Sequence, residues 1–324
     1  MSLSIQMRNN PLTRWQTLFA LLLVCLIIFA ALFADVLAPL NAGESNGFHI
    51  VGNPLNIVPL PPNDEAVLGT APGQIDVFTA LIHGTRNALL FGLGATVLTA
   101  LVGVLIGSFS GLTGGWFNQL SMRITDAFLC IPIIAGIAFF DQILTMLKMS
   151  VIGDADWYMI SPVAAPVSPF VSGTQAMLLS LNPVMLALIG FCWMSYARVL
   201  NLQVLQVKQM EFITAARAIG TKPLRILHRH ILPNCIAPII ILAAKDIGQM
   251  VILQAMFTFI GFPGNSAWAD VLVRSRDWVI GAGGNPFLYW WTYIPITAVI
   301  ILFGIAWNLL GDELNHMLDP KQWM

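Results

Sequence analysis

Charge is scarce in this sequence. Asp, Glu, Lys and Arg make up 10% of its 324 residues, against roughly 25% in soluble domains, which leaves too little polar surface to clothe a water-soluble globule. The net charge of −1 excludes the broad basic field of a nucleic-acid binder, so no such partner is expected. Cysteine is sparse too. Cys25, Cys130, Cys192 and Cys235 lie scattered in apolar runs without CxxC spacing, which points to buried thiols rather than a disulfide framework or thiolate metal site. His49, His83 and His316 are expected in loops, and their spacing matches no ligand set, so no metal is expected. A GxxxxGK(S/T) phosphate loop is also missing; GTK at 220–222 lacks the first glycine and the spacing. No catalytic residue and no bound cofactor follow from this sequence.

Apolar sequence is what the chain has instead: 57% of residues are hydrophobic and the mean hydropathy is +0.78. A bilayer-spanning helix needs about 20 apolar residues. Six runs qualify, over Trp15–Leu37, Ala88–Phe109, Leu120–Leu144, Pro183–Val204, Cys235–Ile260 and Thr292–Leu310. The expected fold class is therefore an all-α polytopic membrane protein with six transmembrane helices. The first run follows Arg8 and Arg14 but exceeds the ~7–15 residues of a signal-peptide core. No convincing small-x-small cleavage site precedes Pro39, so it reads as a retained membrane helix.

Lys/Arg bias sets the orientation. Alternate loops containing the N-terminus and the 205–234 stretch hold Arg8, Arg14, Lys208, Arg217, Lys222, Arg225, Arg229 and Lys321. The opposite set holds Arg86, Lys148, Arg274 and Arg276. Both termini are therefore expected in the cytoplasm of a multi-pass cell (inner) membrane protein. The expected division is a cytoplasmic tail (1–14), a first membrane helix (15–40), an extracytoplasmic segment (41–86), a five-helix core (87–311) and a cytoplasmic tail (312–324). Within the core fall an extracytoplasmic insert (149–180), a cytoplasmic loop (207–234) and an extracytoplasmic loop (261–291). Gly103 and Gly107 form a GxxxG that lets helix backbones approach closely. Pro132, Pro238 and Pro295 each threaten a kink.

One stretch is out of keeping with its surroundings. EFITAARAIGTKPLRILHRHILPN, Glu211 to Asn234, carries Arg217, Lys222, Arg225 and Arg229. Phe212, Ala215, Ala216 and Ile219 recur at i, i+3, i+4, i+7, one face of a helix. Gly220 supplies a left-handed C′ position, Thr221 an N-cap, and Pro223 the first turn of a second helix. That helix gathers Leu224, Leu227 and Ile231 on one side and Lys222, Arg225 and Arg229 on the other. A basic interfacial helix resting on headgroups is one reading. The glycine turn and paired helices favour another, a shaped knob that docks into a protein cleft.

These residues also resemble a known family. AARAIG (215–220) followed by HILPN (230–234) is similar to the EAA loop of ABC-importer permeases, above all those of the dipeptide/oligopeptide/nickel family. LGT (68–70), DVF (76–78), HGTR (83–86), GLTGGWFNQLSMRITDAFLCIP (111–132), WMSYAR (193–198), FTFIGFPG (257–264) and NLLGDELNHMLDP (308–320) resemble the family's other blocks in order. The resemblance implies a type I importer-like transmembrane domain that forms half of a pore with a homologous permease in a heterodimer. It implies two cytoplasmic ATPases, which use the ATP and Mg and grip the EAA helices, and an extracytoplasmic binding protein that delivers cargo. The coupling residues it implies are Glu211, Ala215, Ala216, Arg217, Gly220, Pro223 and Arg225. Such a chain is a transporter subunit, not an enzyme, and its cargo would be peptides, with nickel complexes or oligosaccharides as alternatives. There are departures: Thr214 replaces the glutamate of the triplet, Gln254 replaces another, and Gln74-Ile75 stand where relatives have Gly-Arg, which removes any polar role of that arginine. The 149–180 insert would form an outer cap or a docking surface.

Four charges fall inside expected spans. Arg123 and Asp126, at i, i+3, are expected to pair locally or brace two helices. Lys245 and Asp246 are expected near the bilayer middle, where a charge costs roughly 2.5–3.5 kcal/mol and must face protein or water. Each either pairs with another span or lines the translocation path. A secondary transporter would use this pair as an ion or proton site, but it would not need a cytoplasmic knob; a channel would need a filter-like repeat or charged ring, and none is visible.

Overall fold

The computed structural model describes residues 15–40, 47–152, 182–262 and 264–318. The expected N-tail, most of the 149–180 insert and the last six residues lie outside these. The first membrane helix is α1 (Trp15–Leu32), continued by a single turn, α2 (Ala34–Leu37). A two-residue antiparallel ribbon follows, β1 (Thr70–Ala71) with β2 (Ile75–Asp76), in register Thr70 to Asp76. The remaining helices are α3 (Val77–Thr113), α4 (Gly115–Leu129), α5 (Ile133–Ile152), α6 (Pro183–Val207), α7 (Glu211–Ala218), α8 (Pro223–Ile260), α9 (Ala267–Val279) and α10 (Ile294–Leu318). Five of them, α1, α3, α6, α8 and α10, are each long and apolar enough to cross a bilayer.

The sixth crossing differs from the expected straight span. Residues Leu120–Leu144 are split between α4 and α5, which meet at 99°. Pro132 sits at the break, where its missing N–H and its restriction of the preceding residue stop a helix. The other prolines are milder. Pro238 lies inside α8, and Pro295 falls in the first turn of α10, where no N–H is required. One further helix starts earlier than expected, and another stands where a loop was expected. Asp76 caps α3, its carboxylate accepting from the Phe78 and Thr79 amides, so the helix begins well before Ala88. His83, expected in a loop, is buried on α3, its ring nitrogen 2.7 Å from the Ala38 carbonyl. In the 261–291 loop, Ser266 caps the amphipathic helix α9. Trp268 of α9 is fully buried and donates its indole N–H to the Leu81 carbonyl at 3.1 Å.

α8 runs through the middle of the bundle, packed against α3, α6 and α10. The closest approach is between α3 and α6. A Cβ on Gly103 would collide with Tyr196, and one on Gly107 would sit 2.5 Å from the Ala197 carbonyl oxygen. The GxxxG is thus a helix–helix seam. Asn201 stitches its end, donating to Asn118 Oδ1 at 2.7 Å and Ser110 Oγ at 3.0 Å.

The two ends of the bundle are distinct. At one end Lys208 donates to the carbonyls of Gly111 and Leu112 at the close of α3, and Thr17 donates to Glu313 at 2.7 Å. The start of α1, the end of α10 and the α7–α8 hairpin therefore share that end. At the other, Asn182 donates to the Gly264 carbonyl, and Trp291 to the Thr70 carbonyl, joining the loops to the ribbon. Gln74 organises this outer layer. Buried and at φ 56, it donates its side-chain amide to the carbonyls of Asn56 and Val58.

Replacing Gly107 with Leu should therefore part α3 from α6, at a cost of about 1–3 kcal/mol or more. Thermal unfolding of the detergent-purified protein is expected at a clearly lower temperature, whereas Gly94→Ala, facing only the tip of Met185, should unfold as the parent does.

Candidate functional site: the coupling hairpin and the membrane charges

α7 begins after Lys208, the C-cap of α6. Its apolar side is not the one expected. Ile213 and Ala216 turn inward, against a cluster containing Val204, Val207, Ile226, Leu227 and Ile231. Phe212, Ala215 and Ile219 face out, Ile219 being 83% exposed. In so short a helix either spacing satisfies the periodicity, and the cluster on α6 and α8 decides between them. Gly220 closes the helix at φ +80. Its N–H bonds the Arg217 carbonyl while the Thr221 N–H bonds that of Ala216, the two closures of a Schellman turn. The N-cap that follows is Lys222, not Thr221, and Pro223 takes the first helical position.

The second arm also departs from expectation. Ile226, Leu227 and Ile231 are buried, while Leu224 is 62% exposed. Nor does this arm end. A π-helical turn, Leu227–Ile231, carries it directly into the fifth crossing. At 1.5 Å per residue, the 38-residue α8 is about 57 Å long, far more than the ~30 Å hydrocarbon layer. The hairpin is therefore the protruding end of a membrane helix. Its tip presents Ile219 and Leu224 around Gly220, ringed by exposed Arg217, Lys222 and Arg225, with Glu211 exposed at the start of α7. Lys208 anchors the base. Burial lowers its pKa, the Arg217 charge adds to that, and the ammonium binds the carbonyl end of α3, where a helix favours a cation.

The membrane charges sort into separate pairings. Asp126 does not pair with Arg123; its carboxylate bonds Arg198 on α6. This brace ties α4 to α6, while Arg123 is exposed and in no ion pair among the described residues. Lys245 reaches Asp312 on α10, Nζ to Oδ1 2.6 Å. Asp312 lies 18 residues beyond Ile294 (312 − 294), about 27 Å along α10, and its neighbour Glu313 bonds Thr17 near the start of α1. Lys245, 22 residues past Pro223 (245 − 223) and 15 before Ile260 (260 − 245), is thereby tied to α10 at the level where α10 meets α1. Asp246 points elsewhere. It and Gln249 line both a cavity of about 230 Å³ at the α4–α5 break and one of about 430 Å³ beside α10. Asp246 has no ion pair among the described residues. Sequence reasoning missed Arg198 and Asp312 as partners. Arg198 stood in the quoted WMSYAR block without a role, and Asp312 was assigned to the tail beyond the membrane.

A bundle of apolar helices with a basic amphipathic hairpin projecting from one end is the architecture of a multi-pass membrane transport component. Residues 103–323 match the family described as binding-protein-dependent transport system inner membrane component, and the chain belongs to it. Among its relatives is the di/tripeptide transport system permease protein DppC of Pseudomonas aeruginosa, 28% identical over 306 residues, covering 93% of this chain and 86% of that one. The oligopeptide transport system permease protein OppC of Bacillus subtilis is 26% identical over 318 residues, covering 98% and 88%. The dipeptide transport system permease protein DppC of the same organism is 27% identical over 297 residues, covering 91% and 80%.

Two outcomes follow from this geometry. Arg198→Ala and Asp126→Ala should destabilise the purified protein equally, the double variant no more than either, with a coupling of about 0.2–1 kcal/mol because both side chains are half exposed; Arg123→Ala should be silent. Gly220→Val should fray the hairpin, since a left-handed β-branched residue costs ~1–2 kcal/mol. Hydrogen exchange is expected to quicken in residues 211–226 while the rest of α8 stays protected.

Proposed function

We propose that the chain forms half of the pore of an ATP-driven peptide importer. A homologous permease supplies the other half, two cytoplasmic ATPases clasp the hairpins, and an extracytoplasmic binding protein delivers the peptide. Both termini and the hairpin lie in the cytoplasm, as the Lys/Arg bias of the loops favours. The observation that carries this reading is the continuity of the hairpin with α8. Ile219 and Leu224 offer an exposed apolar plug with a basic rim, fit for a cleft in a soluble subunit. When the ATPases close, the two plugs are drawn together, and each α8 turns against α3, α6 and α10, switching the pore between inward- and outward-facing states. Peptide cargo is supported by the names of the relatives and by the cavities beside Asp246, which combine apolar walls with polar groups. Secondary transport through Lys245 and Asp246 is disfavoured, since Lys245 is held by Asp312.

Ile219→Asp together with Leu224→Asp places two carboxylates in the plug without touching the buried side of the hairpin. Co-purification of the ATPases with the permease pair should fall at least fivefold while the membrane level of the permease is unchanged. Full recovery of ATPases, with normal transport-stimulated hydrolysis, would rule out docking at this tip.

A further inference from the structure

The two carboxylates beside Lys245, Asp312 on α10 and Asp246 on α8, have different fates. Asp312 is spent on Lys245, at 2.6 Å. Asp246, one residue along α8 and so about 100° around it, is left without a cation among the described residues. It forms the ridge between the two cavities, together with Gln249. Three polar groups surround it. Gln249 is exposed toward the cavities, Ser195 of α6 lines the smaller one, and Tyr196 lies beside the carboxylate. Tyr196 is fully buried, yet its hydroxyl lacks a hydrogen bond of good geometry. The walls around these groups are apolar: Phe128 and Ile133 from the two sides of the α4–α5 break, and Phe191, Met250 and Leu253. An acidic group with spare acceptors, flanked by Gln249 and Ser195 and set in apolar walls, is built to take a cationic nitrogen together with an apolar residue.

We propose that Asp246 is the cargo-recognition carboxylate of this half of the pore, and that it binds the terminal ammonium of a peptide in transit. This rests on the peptide-importer reading above. Every unblocked peptide carries that ammonium whatever its side chains, so a site reading it serves many sequences. Gln249 and Ser195 complete the site, and the aromatic and aliphatic walls take the first side chain. Lys245 also lines the larger cavity, but its charge there is met by Asp312.

The test uses the whole transporter, with its sister permease, ATPases and binding protein, in cells without other peptide uptake. Uptake of alanyl-alanine is compared with that of N-acetyl-alanyl-alanine and of N-acetyl-alanyl-lysine, which moves the ammonium to a side chain. Asp246→Asn should lower alanyl-alanine uptake at least tenfold and leave the acetylated dipeptide as it was, with partial recovery in Asp246→Glu. Loss confined to N-acetyl-alanyl-lysine would overturn the terminal-ammonium assignment in favour of side-chain recognition. Equal loss for all three, with poor recovery of the sister permease, would overturn it in favour of an ion pair between subunits. A variant that fails to accumulate is replaced by Asp246→Cys. Its modification by a cationic methanethiosulfonate should exceed the background of the native cysteines and slow at least threefold when alanyl-alanine is present during turnover. An unreactive thiol, or one indifferent to dipeptide, overturns the proposal. If the parent complex imports none of the three probes, the peptide reading itself falls, and this site falls with it.

Discussion

A continuous helical rod from Pro223 to Ile260 is the constraint on which the rest of the molecule depends. Inside a bilayer every backbone N–H and C=O must find its partner within the protein, and a helix satisfies this for a single segment. α8 carries the helix past the membrane boundary and into the hairpin. It is irregular at the π-helical turn Leu227–Ile231 and at Pro233 and Pro238, which have no N–H to donate, yet it runs on past all three. Such a rod transmits displacement; a flexible joint between hairpin and membrane would absorb it. The inner side of the hairpin is fixed for the same reason. Ile213, Ala216, Ile226 and Leu227 join Val204, Val207 and Cys235 in one cluster, so the knob moves with α6 and α8 as a body.

Much of this was legible in the sequence because lipid leaves so few options. Long apolar runs name the crossings, and Gly103 with Gly107 named the face on which α3 meets α6. Gly220 was legible for a different reason: only a residue without Cβ closes a Schellman turn at φ +80 at little cost. What remained hidden was whatever depends on a partner distant in sequence. α7 could turn either of two apolar triplets inward, and residues on α6 and α8 made the choice. The bend at Pro132 was visible as a threat but not as a 99° break, since Pro238 carries the same threat and α8 runs on past it.

The charges teach the same lesson in energetic form. A lone charge in the hydrocarbon costs roughly 2.5–3.5 kcal/mol, so each needs a partner or a route to water, and periodicity names neither. Asp126 had a cation three residues away on its own helix and took Arg198 on another. A half-exposed pair of this kind contributes little stability. Its value lies in register, because it fixes α4 against α6 next to the break, where few apolar contacts do so. Lys245 and Asp312 do the same for α8 against α10.

These braces leave one wall of the bundle unbraced, and that is where Asp246 stands. α3, α6 and α10 hold α8 on the sides where glycines let backbones meet, as Gly92 does against the Ile247 carbonyl and Gly248 against Gly304. On the remaining side α8 shows Gln249, next to the apolar surface of the broken α4–α5 pair. A helix pinned on three sides and open on the fourth can roll only by a small angle before its glycine contacts close. Lys245 and Asp246 share one helix and turn through the same angle, so any roll that carries Asp246 along this wall also pulls on the Lys245–Asp312 pair. In the importer proposed above, the Lys245–Asp312 pair would therefore limit how far a motion of the hairpin can carry Asp246, and the two neighbouring charges would respond to that motion together.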